Sequence, residues 1–173
     1  WFDNALDFGF FDIETRYLAL IRRGTCHYNT GNDDQARSDI ERASALKPAA
    51  AEPLYLLSAI HIRNSRFQDA QSILARILRT NPADPEALYQ NGSIWYKQND
   101  ERWVASFEKL QQALTAGNAR ITDQTPAKYT RALLIAAREH ASKGRHAAAL
   151  AILKAVPLPQ LDQPSRLLLG RVL

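Results

Sequence analysis

The stretch "YNTGNDDQARSDIERASALKP", residues 28–48, decides the fold. It sets Asn32, Asp33, Asp34, Asp39 and Glu41 close behind Gly31, a pattern that reads either as an acidic cation site or as punctuation between two helices. A calcium loop of the helix-loop-helix kind spaces its oxygen ligands at alternate positions, with its turn glycine sixth and a glutamate twelfth. Here the glycine precedes the acids, which weakens the metal reading. A shift of 34 positions carries Gly31, Ala36, Ile40, Ala43 and Pro48 onto Ser65, Ala70, Leu74, Ile77 and Pro82. The same shift takes Leu20, Gly24 and His27 to Leu54, Ser58 and His61, and then to Leu88, Gly92 and Trp95. Asp33, Asp34 and Asp39 become Phe67, Gln68 and Ile73. The period preserves packing residues and discards carboxylates, so the stretch is structural and no metal or other cofactor is expected.

Each period reads as two helices. Leu54, Leu57, Ser58 and His61 follow the i, i+3, i+4, i+7 spacing of one helix face, and Ala70, Leu74 and Ile77 do the same on the next helix. Gly31 suits the left-handed end of a helix, and Asn32, Asp33 and Asp34 suit the start of its successor, where the helix dipole favours negative charge. Pro48, Pro53, Pro82 and Pro85 fall in connections or first turns, the places that tolerate a residue without an N–H. The pattern predicts an all-α chain.

At this point the residues carry a family likeness. "AEPLYLLSAIHIRNSRFQDAQSILARILRTNPAD", residues 51–84, resembles a tetratricopeptide repeat, with small residues at its eighth and twentieth positions, a bulky one at the twenty-fourth and proline at the thirty-second. "YLALIRRGTCHYNTGNDDQARSDIERASALKPAA", residues 17–50, is similar. "PEALYQNGSIWYKQND" resembles a first helix, and its second helix fits with two residues inserted around Glu101 to Trp103. The resemblance implies a right-handed superhelical solenoid of antiparallel helix pairs, forming one continuous domain. Its repeats would be 17–50, 51–84 and 85–118, then a connection at 119–128, a fourth repeat at 129–158 with its turn at Gly144, and the first helix of a fifth at 162–173. Residues 1–16 would be the end of a preceding repeat or a connecting segment.

Composition narrows the class further. No apolar run approaches the roughly 20 residues that cross a bilayer, and no charged-then-apolar leader opens the chain. The expectation is a soluble segment, cytoplasmic or periplasmic, from a larger and bacterial protein, since the 173 residues begin at Trp1 and contain no methionine. Cys26 is the sole cysteine, read as a small apolar residue on a helix. The net charge of +4 is uneven, because residues 126–173 carry eight Lys and Arg against Glu139 and Asp162. That basic third is a candidate surface for an acidic ligand, with no specific nucleic-acid recognition expected because aromatics are not interleaved.

His27, His61 and His140 suggest a metal cluster, yet all three occupy the eleventh position of their repeats, where the third has Trp95. Equivalent positions on neighbouring helix pairs lie roughly 10 Å apart, whereas zinc needs each donor atom about 2 Å away. Packing between helices is the better account, and His146 falls in a turn. Neither a nucleophile-base pair nor a phosphate-cradling glycine loop occurs, so no enzyme is expected.

By the resemblance, the first helix of each repeat lines the hollow side. Its groove positions then supply Thr25, Tyr28 and Asn29, followed by Tyr55, Ile62 and Arg63. The third repeat adds Tyr89, Ser93, Tyr96 and Lys97, and the fourth adds Arg131, Leu134 and Arg138. Tyrosine and arginine are favoured at binding hot spots, so a stripe of them reads as a protein- or peptide-binding groove. A clamp for chaperone tails is not expected, because Ile21, Thr25 and Ala59 replace its lysine and asparagines. The function implied is a non-catalytic protein-protein interaction scaffold. The alternatives are an architectural segment of a bacterial polysaccharide or pilus export machine, and a regulatory domain attached to a DNA-binding or catalytic one. Leu167, Leu168, Leu169 and Val172 lie on a last helix that lacks its partner, so either it folds back on the fourth repeat or residues 166–173 are a candidate for self-association.

Overall fold

A computed structural model describes residues 12–116, 121–122 and 124–172. The reading of residues 1–16 lies outside it up to residue 11, as do residues 119, 120 and 123 of the connection expected at 119–128. Among the described residues there is no strand. The α-helices are α1 Ile13–Asn29, α2 Asp33–Leu46, α3 Ala51–Arg63, α4 Phe67–Thr80, α5 Pro85–Lys97, α6 Arg102–Thr115, α7 Ala127–Ser142, α8 His146–Ala155 and α9 Gln163–Val172. A 3-10 turn, Leu158–Gln160, precedes α9.

The caps show why the helices begin where they do. An Asp12 oxygen accepts the Thr15 amide at 2.9 Å, and an Asp84 oxygen accepts the Ala87 amide at 2.9 Å with Pro85 in the first turn. Each satisfies an amide that the helix itself leaves unpaired.

Four turns between consecutive helices share one construction. The amides of Asn32, Arg66, Asp100 and Arg145 donate to the carbonyls of His27, His61, Trp95 and His140. One residue earlier, the amides of Gly31, Ser65, Asn99 and Gly144 donate to Tyr28, Ile62, Tyr96 and Ala141. These are the paired bonds of a Schellman motif, which requires a left-handed residue just past the helix. That residue has φ of 80° at Gly31, 59° at Ser65, 56° at Asn99 and 72° at Gly144. Glycine is thus replaced at two of four turns by residues that hold the conformation under strain.

The helices gather into two compact units, Trp1–Arg79 and Thr80–Leu173. In the first, α1 packs on α2 and α2 on α3 around Tyr17, Leu20, Ile21, Ile40, Ala43 and Leu57. Asp39, only 4% exposed, faces this core and would be costly there alone. Arg23 answers it with a forked pair of hydrogen bonds at 2.7 and 2.6 Å. The three aspartates of the deciding stretch are therefore occupied within the chain: Asp39 by Arg23, Asp34 by Arg37, and Asp33 by Arg63 and Asn64.

In the second unit α5 packs on α6, α6 on α7, and α7 on α8, with α9 against both α7 and α8. Its core holds Ile94, Leu110, Leu133, Ile152 and Leu153, all essentially without exposure. Gly92 lets α5 and α6 approach closely, because a Cβ there would lie 2.3 Å from a ring carbon of Phe107. His140 is 1% exposed and its Nε2 lies 2.8 Å from a Glu108 oxygen. His27 and His61 are half-buried. Burial pushes the His61 imidazole below its ordinary value, with Arg66 adding to the shift. Cys26 is exposed on α1.

Candidate functional site

In the first unit the candidate residues separate into two places. Tyr28 and Asn29 end α1, and Arg63 ends α3. The Arg63 guanidinium lies 3.8 Å from the Tyr28 ring centroid, in cation–π range. Its Nη1 donates to the Tyr28 carbonyl at 2.6 Å and its Nε to Asp33 at 3.1 Å. Arg63 therefore braces α1, α2 and α3 together, and much of its fork is already engaged. Asn29 is exposed beside it. Tyr55 sits half-buried eight residues earlier on α3, about 12 Å along the helix at 1.5 Å per residue.

In the second unit Tyr89, Ser93, Tyr96 and Lys97 occupy positions i, i+4, i+7 and i+8 of α5 and so share a face. Ser93 Oγ donates to the Tyr89 carbonyl at 2.9 Å, which employs its hydroxyl within the helix. The Tyr89 ring lies 6.4 Å from Phe107, nearly parallel, and 5.5 Å from Tyr129. Tyr96 meets Trp103 edge-on at 5.4 Å, and Trp103 meets Phe107 at 5.8 Å. These contacts make one aromatic chain, Tyr96–Trp103–Phe107–Tyr89–Tyr129, spanning α5, α6 and α7. Tyr96 is its open end, 51% exposed, with Lys97 exposed beside it.

Two polar groups flank this chain that sequence reading does not single out. Glu86 accepts from Lys128 at 2.6 Å, from the Tyr129 hydroxyl at 2.6 Å and from Gln90 at 2.8 Å. Burial pushes its carboxyl up, but these three donors outweigh it and hold the group below its ordinary range. Arg102 lies 3.5 Å over the Trp95 ring and grips Asp100 with bonds of 2.9 and 2.7 Å. Those bonds hold the Asp100 carboxyl down at about 2.

The remaining candidates lie on α7. Arg131 is exposed, Leu134 is buried, and Arg138 Nη1 donates to Asp162 at 2.8 Å and to Ser165 Oγ at 3.4 Å. Arg138 also lines a cleft of about 520 Å³ with Ala141 and Ser142 of α7, His146 of α8, and Pro164, Leu167 and Arg171 of α9. Sequence reading assigns Leu167 to self-association and leaves Arg171 aside, because the cleft exists only once α9 lies beside α7.

Among the described residues no group of three His, Cys, Asp or Glu side chains could hold a metal. No helix there is long and apolar enough to cross a membrane. What the candidate residues bring together is aromatic rings and cations.

Comparison with known proteins agrees with this architecture. Residues 31–90 match the family described as tetratricopeptide repeat. Cellulose synthase operon protein C of Pseudomonas fluorescens (strain SBW25) is 28% identical over 75 residues, which is 43% of this chain. The matched stretch is only 6% of that protein's length. Among solved structures, PilF of Pseudomonas aeruginosa superposes with a TM-score of 0.67 at 17% identity, covering 92% of this chain and 68% of that one. A tetratricopeptide repeat protein of Parabacteroides merdae gives 0.63 at 16% identity, covering 90% and 59%. MamA gives 0.61 at 19% identity, covering 88% and 81%. Residues 31–90 thus carry the signature of the tetratricopeptide repeat family, and the fold of the described helices recurs in a solved tetratricopeptide repeat structure.

Proposed function

We propose that this chain is a non-catalytic scaffold that holds a peptide or helix of a partner protein against the first helices of its repeats. The observation that carries the reading is Tyr96, a ring half open to solvent yet held edge-on by the buried Trp103. A pre-positioned aromatic loses little entropy on binding, which is what a hot spot requires. Tyr28, Asn29, Tyr55 and Arg63 serve in the first unit. Tyr89, Ser93, Lys97, Arg131 and Arg138 serve with Tyr96 in the second. The test is capture of partner proteins from cell lysate by immobilised chain, followed by mass spectrometry. Joint replacement of Tyr55, Tyr89 and Tyr96 by alanine should abolish the enriched bands while circular dichroism stays helical. Unchanged capture would remove the groove assignment.

A second reading has one specific support, the match to cellulose synthase operon protein C. In it the chain is an architectural segment of a bacterial polysaccharide-export assembly. A gene deletion that leaves exported polysaccharide unaltered would sink it. A deletion that stops export while synthesis continues would favour it.

A further inference from the structure

We infer that the cleft between α7 and α9 receives an acidic peptide segment bearing leucine-sized side chains. The inference rests on the scaffold reading and names the partner's chemistry at one end of the groove. Its floor is apolar: Pro164, Leu167 and Leu168 lie at i, i+3 and i+4 of α9, and Ala141 faces them from α7. Leu167 is 60% exposed. Arg171 continues the same stripe at i+7, and His146 closes the opposite side. Neither has an ion-pair partner among the described residues.

Charge decides between occupants. The acids nearest the cleft are already committed, Asp162 to Arg138 and the Ser165 amide, and Glu139 to Lys143 at 3.0 Å. Arg131 lies one heptad before Arg138, on the same side of α7, and is exposed. Arg171 in the cleft and Arg131 farther along α7 are thus cations with no ion pair among the described residues, and residues 126–173 carry a net +6, eight basic side chains against two acidic. A second copy of this chain would bring the same cations against themselves, and like charges placed face to face oppose association. A nucleic acid would meet the charge but not the floor, since the cleft lining holds no Tyr, Trp or Phe on which a base could stack. An acidic segment with apolar anchors satisfies both features. At about 520 Å³ the cleft has room for a few such side chains.

Fluorescence anisotropy tests this with the whole chain and a short fluorescein-labelled peptide of glutamate and serine carrying two leucines. Versions with glutamine or lysine in place of glutamate serve as controls. The acidic peptide should bind saturably, the glutamine version about tenfold more weakly and the lysine version not at all. Arg171→Glu and Leu167→Asp should each weaken binding about tenfold with helicity unchanged. If either variant misfolds, protection of α9 amides from hydrogen exchange by the peptide in the unaltered chain carries the test instead. Equal binding of all three peptides, or no saturable binding, overturns the inference. So does tighter binding of a single-stranded oligonucleotide, or dimerisation that Leu167→Asp abolishes. If the peptide fails while capture dependent on Tyr55, Tyr89 and Tyr96 persists, the partner class is wrong and the scaffold reading stands.

Discussion

Gly92 and Glu86 sit within two turns of one another on α5 and answer to different physics. At Gly92 a methyl group would enter the space of the Phe107 ring, whose carbons lie 2.3 and 2.6 Å from the ideal Cβ. Gly92→Ala should therefore lower the free energy of unfolding by about 1–3 kcal/mol, read from the urea midpoint. Glu86 instead couples folding to acidity. Its three donors hold the folded carboxyl below its ordinary 4.5, so its contribution is present above that value and is lost as pH falls through the lowered one. Urea titrations from neutrality into this range should show a shallower loss for Glu86→Gln than for the unaltered chain, and identical slopes would refute the coupling. Gly92 is legible in the sequence because the period marks its position as small. Glu86 is not, because Tyr129 stands 43 residues away and no periodicity predicts which side chains meet across α5 and α7.

The four Schellman turns recur as one element in four sequences, "TGN", "NSR", "QND" and "KGR". Where glycine stands the turn is announced outright. At Ser65 and Asn99 only the repeat register reveals it, since neither residue type compels a left-handed backbone. Ser65 at φ 59° carries a steric cost of roughly 1–2 kcal/mol that glycine would not, offset in part by glycine's greater freedom when unfolded. Ser65→Gly should accordingly stabilise the chain by about 0.5–1 kcal/mol in thermal or urea denaturation. Asn99→Gly should change stability by only about a few tenths, because asparagine tolerates this conformation better. A destabilised Ser65→Gly would mean the strain is relieved elsewhere. The aromatic chain on α5, α6 and α7 is a contrasting case: Tyr89 and Tyr96 stand out in the sequence, whereas Trp103 lies where the repeat pattern needs an insertion and so carries no position of its own.

For the whole chain the all-α reading predicts a far-UV circular dichroism spectrum with the paired minima of helix and no strand component. Appreciable β signal would overturn the fold. Fold class is legible because a 34-residue period is imposed by packing, and packing positions tolerate few residue types. Binding surface is less so, because it is made of what packing leaves over, and Arg63 shows the ambiguity: a residue that looks outward-facing in sequence is occupied with Asp33 and the Tyr28 carbonyl. Exposed Cys26 has a practical sequel. Being the lone sulfhydryl of all 173 residues, it gives a maleimide dye one address on the first unit and none on the second, so labelled preparations can report that unit's melting by itself. The same solitary thiol can also tether two molecules through oxidation, which makes a reductant essential wherever association is to be weighed.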